Sequence, residues 1–301
     1  MTHSTDGLVI VDKPGGMTSH DVVARIRRLA GTRRVGHAGT LDPMATGVLV
    51  LGIEKATRLL GYLMLTNKTY ETTIRLGAST TTDDAEGELT AGAPAAHVPD
   101  DMLAQAITRL TGEIQQVPPA VSAIKVDGQR AYKLTRAGAA PELKPRPVTV
   151  YEFTVTAIRP AEGDLLDVDA TVRCSSGTYI RALARDLGDD LGAGGHLTRL
   201  RRTRVGGYGL EGARTLEQLA ERFEVLPLAQ AASAAFPRRD LSADEARRLA
   251  HGGRLTAEGH PERHRATQEH PTAAYAPDGS LVALLAEQDG QARPLVVFAG
   301  S

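Results

Sequence analysis

The stretch GHAGTLDPMATGVLVLGI, residues 36–53, joins a glycine-rich loop to an apolar run. The run GVLVLGI at 47–53 carries no charge, which predicts a fully buried strand. Asp42 therefore stands where the loop enters a sheet. Burial and neighbouring charges can activate a carboxylate there as a nucleophile or a general base. An aspartate that caps the turn begun by Pro43 is the alternative, because aspartate is common in turns.

The sequence on both sides of this stretch predicts further strands and helices. Residues 68–76 alternate in polarity, so Tyr70 is expected on the buried face of a strand and Thr73 on the other face. Thr18 or Ser19 is expected to cap a helix. The other predicted elements are strands at 8–11, 122–126, 148–158, 165–174 and 197–205 and helices at 22–30, 57–65, 99–111 and 178–191.

The character of the sequence changes after about residue 236. The predicted elements there are a helix at 242–251 and short strands at 273–275, 281–286 and 295–298, with Pro-Asp-Gly and Asp-Gly turns between strands. We therefore expect a large domain at 1–236 and a small, separate β-rich module at 237–301.

The composition excludes several classes of protein. The chain has 301 residues, of which 24% are charged and 42% hydrophobic, as in a soluble globular protein. Its one cysteine, Cys174, excludes a disulfide framework and a multi-cysteine zinc site. No apolar run reaches the roughly 18 residues of a membrane span, and no signal peptide is evident. Four histidines between 251 and 270 are interpreted as solvated loop residues, with metal binding as a minor alternative.

The charges are segregated along the chain although the net charge is only −1. The blocks 1–70, 122–150 and 173–204 each carry a net charge of +4, and they alternate with acidic blocks at 71–113 and 151–172. If the basic blocks share one face, that face could neutralise a polyanion such as RNA. The alternative is that these charges cluster by chance and point into solvent.

Arg181 stands in the first turn of the helix predicted at 178–191. A cation at that place opposes the helix dipole, so a compensating partner is expected. A buried carboxylate suits the guanidinium group, which can bind it through two hydrogen bonds. A solvated surface arginine is the alternative.

Five motifs together carry a resemblance to a known family. They are, in order, DKPGGMTS at 12–19, GHAGTLDPMATG at 36–47, KTY at 68–70, PPAVSAIK at 118–125 and CSSGTYIR at 174–181. Over about residues 8–210 the chain closely resembles the bacterial TruB family of tRNA pseudouridine-55 synthases. The C-terminal module looks like the small PUA-type RNA-binding domain that many members of this family carry.

The resemblance implies both a fold and an activity. The implied fold is mixed α/β (α+β), with a largely antiparallel central sheet, flanking helices and a small β-rich domain at the C-terminus. The implied enzyme is a cytoplasmic isomerase that flips uridine 55 out of the T-loop of tRNA and converts it to pseudouridine, with no cofactor and no metal. We expect the T-arm of tRNA as its partner, no membrane contact, no obligate protein partner and a monomer.

The same resemblance assigns roles to particular residues. They are Asp42 as the catalytic aspartate, Tyr70 as the active-site tyrosine, Arg181 as the arginine that pairs with Asp42, His37 as the histidine that enters the T-loop, Leu200 as an apolar residue of the pocket, and Lys13 with Pro14 as a motif beside the active site. The sequence leaves open whether Asp42 attacks the ribose, attacks the base or acts as a base.

Three other functions were weighed against this one. An RNA-binding or RNA-folding protein with a decayed active site could lose Asp42, Tyr70 or Arg181, but all three are present. A related enzyme could act on another RNA, for example as an archaeal-type guide-RNA partner. A carboxylate-dependent hydrolase would need a second carboxylate near Asp42, and no motif offers one.

Overall fold

The computed structural model of the chain describes residues 6–120, 125–126, 129–130, 143–257 and 266–298. The chain forms two compact units: unit 1 comprises Met1–Thr66 and Arg204–Ser301, and unit 2 comprises Asn67–Thr203. The division at residue 236, into a large domain and a small β-rich module, stays a prediction. The predicted strand at 122–126 and the histidine-containing stretch at 251–270 lie partly outside the described residues.

The strands are numbered here in chain order. They are β1 (Gly7–Lys13), β2 (Val35–His37), β3 (Thr46–Ile53), β4 (Lys68–Leu76), β5 (Ser79–Thr80), β6 (Leu89–Ala91), β7 (Gly112–Gln116), β8 (Lys125–Val126), β9 (Gln129–Arg130), β10 (Arg146–Ala161), β11 (Leu165–Cys174), β12 (Gly195–Val205), β13 (Tyr208–Gly209), β14 (Leu226–Pro227), β15 (Arg238–Asp240), β16 (Leu255–Thr256), β17 (Thr272–Tyr275), β18 (Leu281–Gln288) and β19 (Gln291–Val297).

The α-helices of the described residues flank these strands. They are α1 (Ser19–Ala30), α2 (Leu60–Met64), α3 (Asp100–Arg109), α4 (Ile180–Asp190), α5 (Leu216–Glu221), α6 (Leu228–Ala235) and α7 (Ala243–Ala250). Thr18 caps α1, as predicted, through a reciprocal pair of hydrogen bonds with Asp21. The helix predicted at 57–65 begins instead as a 3-10 helix at Glu54–Leu59, which continues into α2.

The described strands of unit 1 belong to two sheets. In the first, β1 pairs with β3 along its whole length, and its first two residues also pair with β14. Strand β2 pairs with the last three residues of β3. All of these pairs are antiparallel. The second sheet has the order β15-β17-β18-β19-β16 and is formed by the C-terminal residues. Its pairs are antiparallel except for the parallel pair of β15 and β17.

One apolar core in unit 1 is built from both ends of the chain. Leu8 and Val50 from the first sheet belong to the same buried cluster as Tyr275, Leu284 and Phe298 from the second. A hydrogen bond of 3.0 Å from the Tyr275 hydroxyl group to the Ala229 carbonyl oxygen reinforces it. The C-terminal residues also have a smaller core of their own, which includes Leu241, Leu249, Val282 and Leu285.

Unit 2 is built on a sheet with the order β12-β4-β11-β10-β7. The pairs β4–β11, β11–β10 and β10–β7 are antiparallel. Helix α4 buries Ile180, Leu183, Ala184 and Leu187, the apolar face that the sequence predicted. A mixed α/β fold with a largely antiparallel sheet, flanking helices and a β-rich C-terminal part is thus confirmed.

The alternation predicted for β4 holds for its apolar residues. Tyr70, Ile74 and Leu76 are buried, while Glu71 on the other face is exposed. Thr73 is the exception, because it is buried on the face that was expected to meet solvent. Its hydroxyl group donates a hydrogen bond of 2.6 Å to Asp169, whose carboxylate covers it. No helix among the described residues has the length and apolar character needed to cross a membrane.

Candidate active site

Asp42 lies in a tight turn between β2 and β3. The Asp42 carbonyl oxygen accepts a hydrogen bond of 3.1 Å from the Ala45 amide, and the Asp42 side chain is half-buried. Gly39 and Gly47 stand on either side of the turn at φ values of +98° and +99°. Side chains other than glycine rarely adopt this left-handed backbone, so the two glycines set the path that brings Asp42 to this place.

Lys13 supports the Asp42 turn. Its side chain is fully buried, and its ammonium group donates hydrogen bonds to the carbonyl oxygens of Pro14 (2.8 Å), Pro43 (3.2 Å) and Ala45 (2.7 Å). A buried ammonium group needs such acceptors, because leaving water without them costs several kcal/mol. The Gly16 amide donates a further bond of 2.8 Å to the Pro43 carbonyl oxygen. The DKPG motif therefore holds the backbone that follows Asp42.

Ser19 fixes the residue before Asp42. Its buried hydroxyl group donates to the Leu41 carbonyl oxygen at 3.1 Å and accepts from the Leu41 amide at 2.9 Å. The sequence suggested Ser19 only as a possible helix cap, whereas Thr18 performs that role. Ser19 is thus a residue of the candidate site that sequence reasoning missed.

His37 ends β2 and is half-buried. Its imidazole ring meets the ring of His20 edge to face, with centroids 5.7 Å apart and planes at 83°. Lys13, His37 and Asp42 all belong to unit 1, and the structure brings Lys13 directly against the Asp42 turn.

Tyr70 and Leu200 belong to the sheet of unit 2. Tyr70 lies on β4 opposite Val172 of β11, and Leu200 lies on the neighbouring strand β12. Both side chains are buried, with 7% and 6% of their surface exposed.

Two buried cations accompany Tyr70 in unit 2. Lys68 stands two residues before Tyr70 on the same face of β4, and Arg202 is 1% exposed on β12. Burial, together with the Arg202 charge, lowers the pKa of Lys68 to about 8. Burial also raises the pKa of the Cys174 thiol, which is opposite Lys68 in the sheet, to about 11, so this thiol is a poor nucleophile.

Arg181 has the buried carboxylate partner that its position predicted. The Arg181 guanidinium group lies 3.5 Å from the Asp84 carboxylate and donates a hydrogen bond of 2.9 Å to the Thr82 carbonyl oxygen. Both side chains of the ion pair are at least 94% buried. The Thr82 hydroxyl group and the Glu86 amide also donate to Asp84. Arg181 is therefore held in one orientation, while its pairing with Asp42 stays a prediction.

A second arginine extends this network in unit 2. Arg185 lies 3.1 Å from the Asp83 carboxylate and 2.7 Å from the Asp186 carboxylate. Burial raises the pKa of both carboxyl groups, and the Arg185 charge opposes that effect. Sequence reasoning missed Asp83 and Asp84, although two adjacent aspartates in the threonine-rich loop TTTDDAEG at 80–87 are an unusual pattern.

Within the described residues, no group of three or more His, Cys, Asp or Glu side chains is placed to hold a metal ion.

Comparisons with known proteins place most of the chain in one group. Residues 27–180 match the model described as TruB family pseudouridylate synthase (N terminal domain). Residues 181–230 match the tRNA pseudouridylate synthase B C-terminal domain, and residues 236–299 match tRNA Pseudouridine synthase II, C terminal.

Curated relatives are similar over almost their whole length. The tRNA pseudouridine synthase B of Thermobifida fusca (strain YX) is 64% identical over 300 residues, which cover 98% of this chain and 99% of that protein. The protein of the same name from Arthrobacter sp. (strain FB24) is 64% identical over 299 residues, which cover 98% of this chain and 97% of that protein.

Two solved structures share the fold. One, a Cbf5-Nop10-Gar1 complex, has a chain that is 29% identical with a TM-score of 0.73, over 98% of this chain and 85% of that chain. The other, an H/ACA RNP bound to a substrate RNA containing 2'-deoxyuridine, has a chain that is 26% identical with a TM-score of 0.73, over 99% of this chain and 86% of that chain.

Proposed function

This chain belongs to the TruB family of pseudouridylate synthases, which make pseudouridine in tRNA, and on that premise we propose that it isomerises uridine 55 in the T-loop. The observation that carries the proposal is the restraint of the Asp42 turn. Lys13 and Ser19 hold its backbone through five hydrogen bonds, one of them to Pro14 beside the turn. A preorganised carboxylate needs no reorganisation during the reaction, which is how enzymes lower barriers.

The proposed reaction begins with removal of uridine 55 from the T-loop stack. A folded loop hides the base, so flipping is required and costs a few kcal/mol. The Tyr70 ring can stack on the flipped base, and such stacking stabilises the flipped state by about 1–3 kcal/mol. The buried aliphatic surface of Leu200 completes an apolar environment for the uracil.

The chemistry then moves the glycosidic bond from nitrogen to carbon. The N1–C1′ bond breaks, the uracil turns, and a bond forms between C5 and C1′. The proton on C5 is lost to a base and N1 gains a proton, so the product is an isomer and needs no oxidant. In this proposal Asp42 acts at the ribose or the base as nucleophile or general base, and the Tyr70 hydroxyl group takes part in removing the C5 proton.

In this proposal Arg181 supplies a positive charge that pairs with the Asp42 carboxylate. A guanidinium group suits a carboxylate, and its charge persists at any physiological pH. The ion pair with Asp84 and the bond to Thr82 orient Arg181 without a bound substrate. Asp84 is thus assigned as a residue that positions Arg181, and no cofactor is assigned to the site.

The proposed substrate-binding surface combines His37 with the basic blocks of the sequence. His37 enters the T-loop when bases are extruded, and the exposed lysines and arginines of 1–70 and 173–204 contact phosphates. The C-terminal residues 237–301 act as an RNA-binding domain of the PUA type. We further propose a cytoplasmic monomer that needs no protein partner.

One experiment tests this assignment directly. Purified protein is incubated with tRNA transcript and pseudouridine is mapped at each position, and tRNA from a deletion strain is mapped in the same way. The parent protein forms pseudouridine at position 55 also in excess EDTA. Asp42→Asn abolishes product but keeps tRNA affinity within about threefold, which is less than 1 kcal/mol. Asp100→Asn, at an exposed site on α3, is the matched control.

Other outcomes would point to the alternatives. Product formation by pure Asp42→Asn protein would remove the catalytic role from Asp42. Modification at another position, or dependence on an added guide RNA, would replace the T-loop substrate. Binding of tRNA by the parent without any product would favour an RNA-folding role.

A further inference from the structure

The first turn of α1 touches two parts of the candidate site at once. Ser19 is buried and binds both backbone groups of Leu41, next to Asp42. His20, the following residue, is exposed and meets the ring of His37. Two consecutive residues thus connect one helix end to the Asp42 turn and to the proposed RNA-contacting histidine.

The contact between the two imidazole rings has the geometry of a stable aromatic pair. Their centroids are 5.7 Å apart and their planes are inclined at 83°. Edge-to-face pairs prefer centroid distances of about 4.5–7 Å, because the positive edge of one ring meets the negative face of the other. Such a pair restricts rotation of His37 about its χ2 angle.

The position of His20 is itself well defined. Thr18 and Asp21 exchange hydrogen bonds at the start of α1, so the backbone that carries His20 is fixed by its neighbours. On the other ring, the His37 Nδ1 atom is shielded from solvent although the side chain as a whole is half-buried. Solvent therefore reaches only one edge of the His37 ring. The direction in which that edge points depends on the groups that pack against the ring, of which His20 is one.

We propose that His20 is a positioning residue for tRNA binding, which holds the His37 imidazole in the orientation that enters the T-loop. The inference rests on the proposed function, since it requires His37 to contact RNA. It adds a residue to which neither the motif comparison nor the family assignment gives a role. His20 acts through His37 rather than through a phosphate contact of its own.

A purely structural role for His20 makes a different prediction. Such a role predicts that His20→Ala lowers the melting temperature and leaves tRNA affinity unchanged. We expect only a small change in melting temperature, because Thr18 and Asp21 form the α1 cap and the His20 side chain is exposed. The positioning role instead affects tRNA binding, and it is restored by any ring that can present the same edge-to-face contact.

The test is a double-mutant cycle on the full-length protein with unmodified tRNA transcript. His20→Ala weakens tRNA binding by about twofold to tenfold, the range that one aromatic pair supplies. The KM for tRNA rises by the same factor while kcat changes by less than about twofold. His20→Phe, which keeps a ring, binds within about twofold of the parent. His97→Ala, at an exposed histidine of unit 2, is the control for loss of an imidazole.

The His37→Ala background decides whether the two residues act together. There, His20→Ala has no further effect on affinity, because the ring that it orients is gone. Additive losses would overturn the inference, since His20 would then contact RNA independently. Unchanged affinity of His20→Ala in the parent background, or failure of His20→Phe to restore binding, would overturn it as well.

These outcomes differ from a failure of the proposed function. Parent protein that binds tRNA but leaves uridine 55 unmodified contradicts the proposed function, while the binding cycle still tests the His20–His37 pair. Parent protein that modifies uridine 55 and shows no coupling contradicts only the role of His20. Parent protein that does not bind tRNA contradicts both.

Discussion

The Lys13 ammonium group donates a hydrogen bond of 2.7 Å to the carbonyl oxygen of Ala45, 32 residues further along the chain. The same group bonds to Pro43, so it spans the turn that begins at Asp42. The ammonium group of the lysine in the DKPG motif is thus buried and binds backbone carbonyl oxygens. We assign Lys13 to the support of Asp42 in unit 1.

Lys13→Met tests that support. Methionine fills a similar volume but removes the ammonium donor from the carbonyl oxygens of Pro14 and Ala45, and it leaves Pro43 with the Gly16 amide alone. We expect a loss of about 2–3 kcal/mol in the free energy of unfolding and at least a tenfold slower single-turnover rate. Urea unfolding and rapid quench measure the two effects. The exposed Lys144→Met variant is the control, and equal behaviour of the two variants would contradict the assignment.

Asp84→Asn tests the orientation of Arg181. Asparagine keeps the shape of the side chain but removes the charge from a pair that is almost fully buried. We expect a loss of about 3 kcal/mol in stability, a rate at least tenfold lower and an affinity for tRNA within about threefold of the parent. Single-turnover kinetics and filter binding separate these effects.

The control for Asp84 is Asp167→Asn. Asp167 also pairs with an arginine, Arg75, at 2.8 Å, but this pair is partly exposed. Asp167→Asn removes the charge from a bidentate pair that does not include Arg181, so it is expected to leave the rate unchanged even where it lowers stability. A rate for Asp84→Asn as high as that of Asp167→Asn would show that Arg181 needs no help from Asp84.

Tyr70→Phe separates stacking from proton transfer. Phenylalanine keeps the ring, so tRNA affinity and melting temperature stay close to those of the parent. Loss of the hydroxyl group is expected to slow the single-turnover rate by about 100-fold or more, as for other general acids and bases. Pseudouridine formation at near the parent rate would return Tyr70 to a packing role in the sheet.

Lys68 is expected to make stability depend on pH. Its pKa falls from 10.5 in the unfolded chain to about 8 in the folded chain, mainly because of burial. The unfolded chain therefore binds more protons between these values, so the penalty on folding is full below about pH 8 and disappears above 10.5. Lys68→Met is expected to be more stable than the parent by about 3 kcal/mol at pH 7, and equally stable near pH 10.5.

Urea unfolding of both proteins across this pH range measures the effect. The Cys174 thiol interacts with the Lys68 charge, so both proteins carry Cys174→Ala, which removes the thiol titration from the difference. A difference that stays constant with pH would mean that Lys68 keeps an ordinary pKa. Lys144→Met, at an exposed lysine, is expected to show such a constant and small difference.

Local patterns explain which parts of the fold could be predicted. The β4 alternation and the Thr18 cap depend on residues within a few positions of one another, and both were predicted correctly. The short helices α5 and α6 were missed, because six residues are too few to establish a period and because five of the eight residues of α6 are alanines.

The contacts that define the candidate site depend on distant residues. Ser19 bonds to a residue 22 positions away, and Arg181 bonds to Thr82, 99 positions away. No periodicity encodes such pairs, since they arise only when the strands and helices pack. The motif comparison selected Asp42, Tyr70 and Arg181 without these contacts, and it left Ser19, Asp84 and His20 unassigned.

The core that unit 1 assembles from both ends of the chain has a consequence for synthesis on the ribosome. Leu8 and Val50 are made early, but the Tyr275 and Phe298 side chains of the same cluster are made last. Translation of the intervening residues takes roughly 10–50 s at bacterial rates. Residues 67–203 can fold in that interval. The Asp42 turn belongs to unit 1, whose apolar core is complete only after the C-terminal residues are made. A chain that stops before residue 236 would carry all five motifs and still lack part of the core behind the two motifs of unit 1.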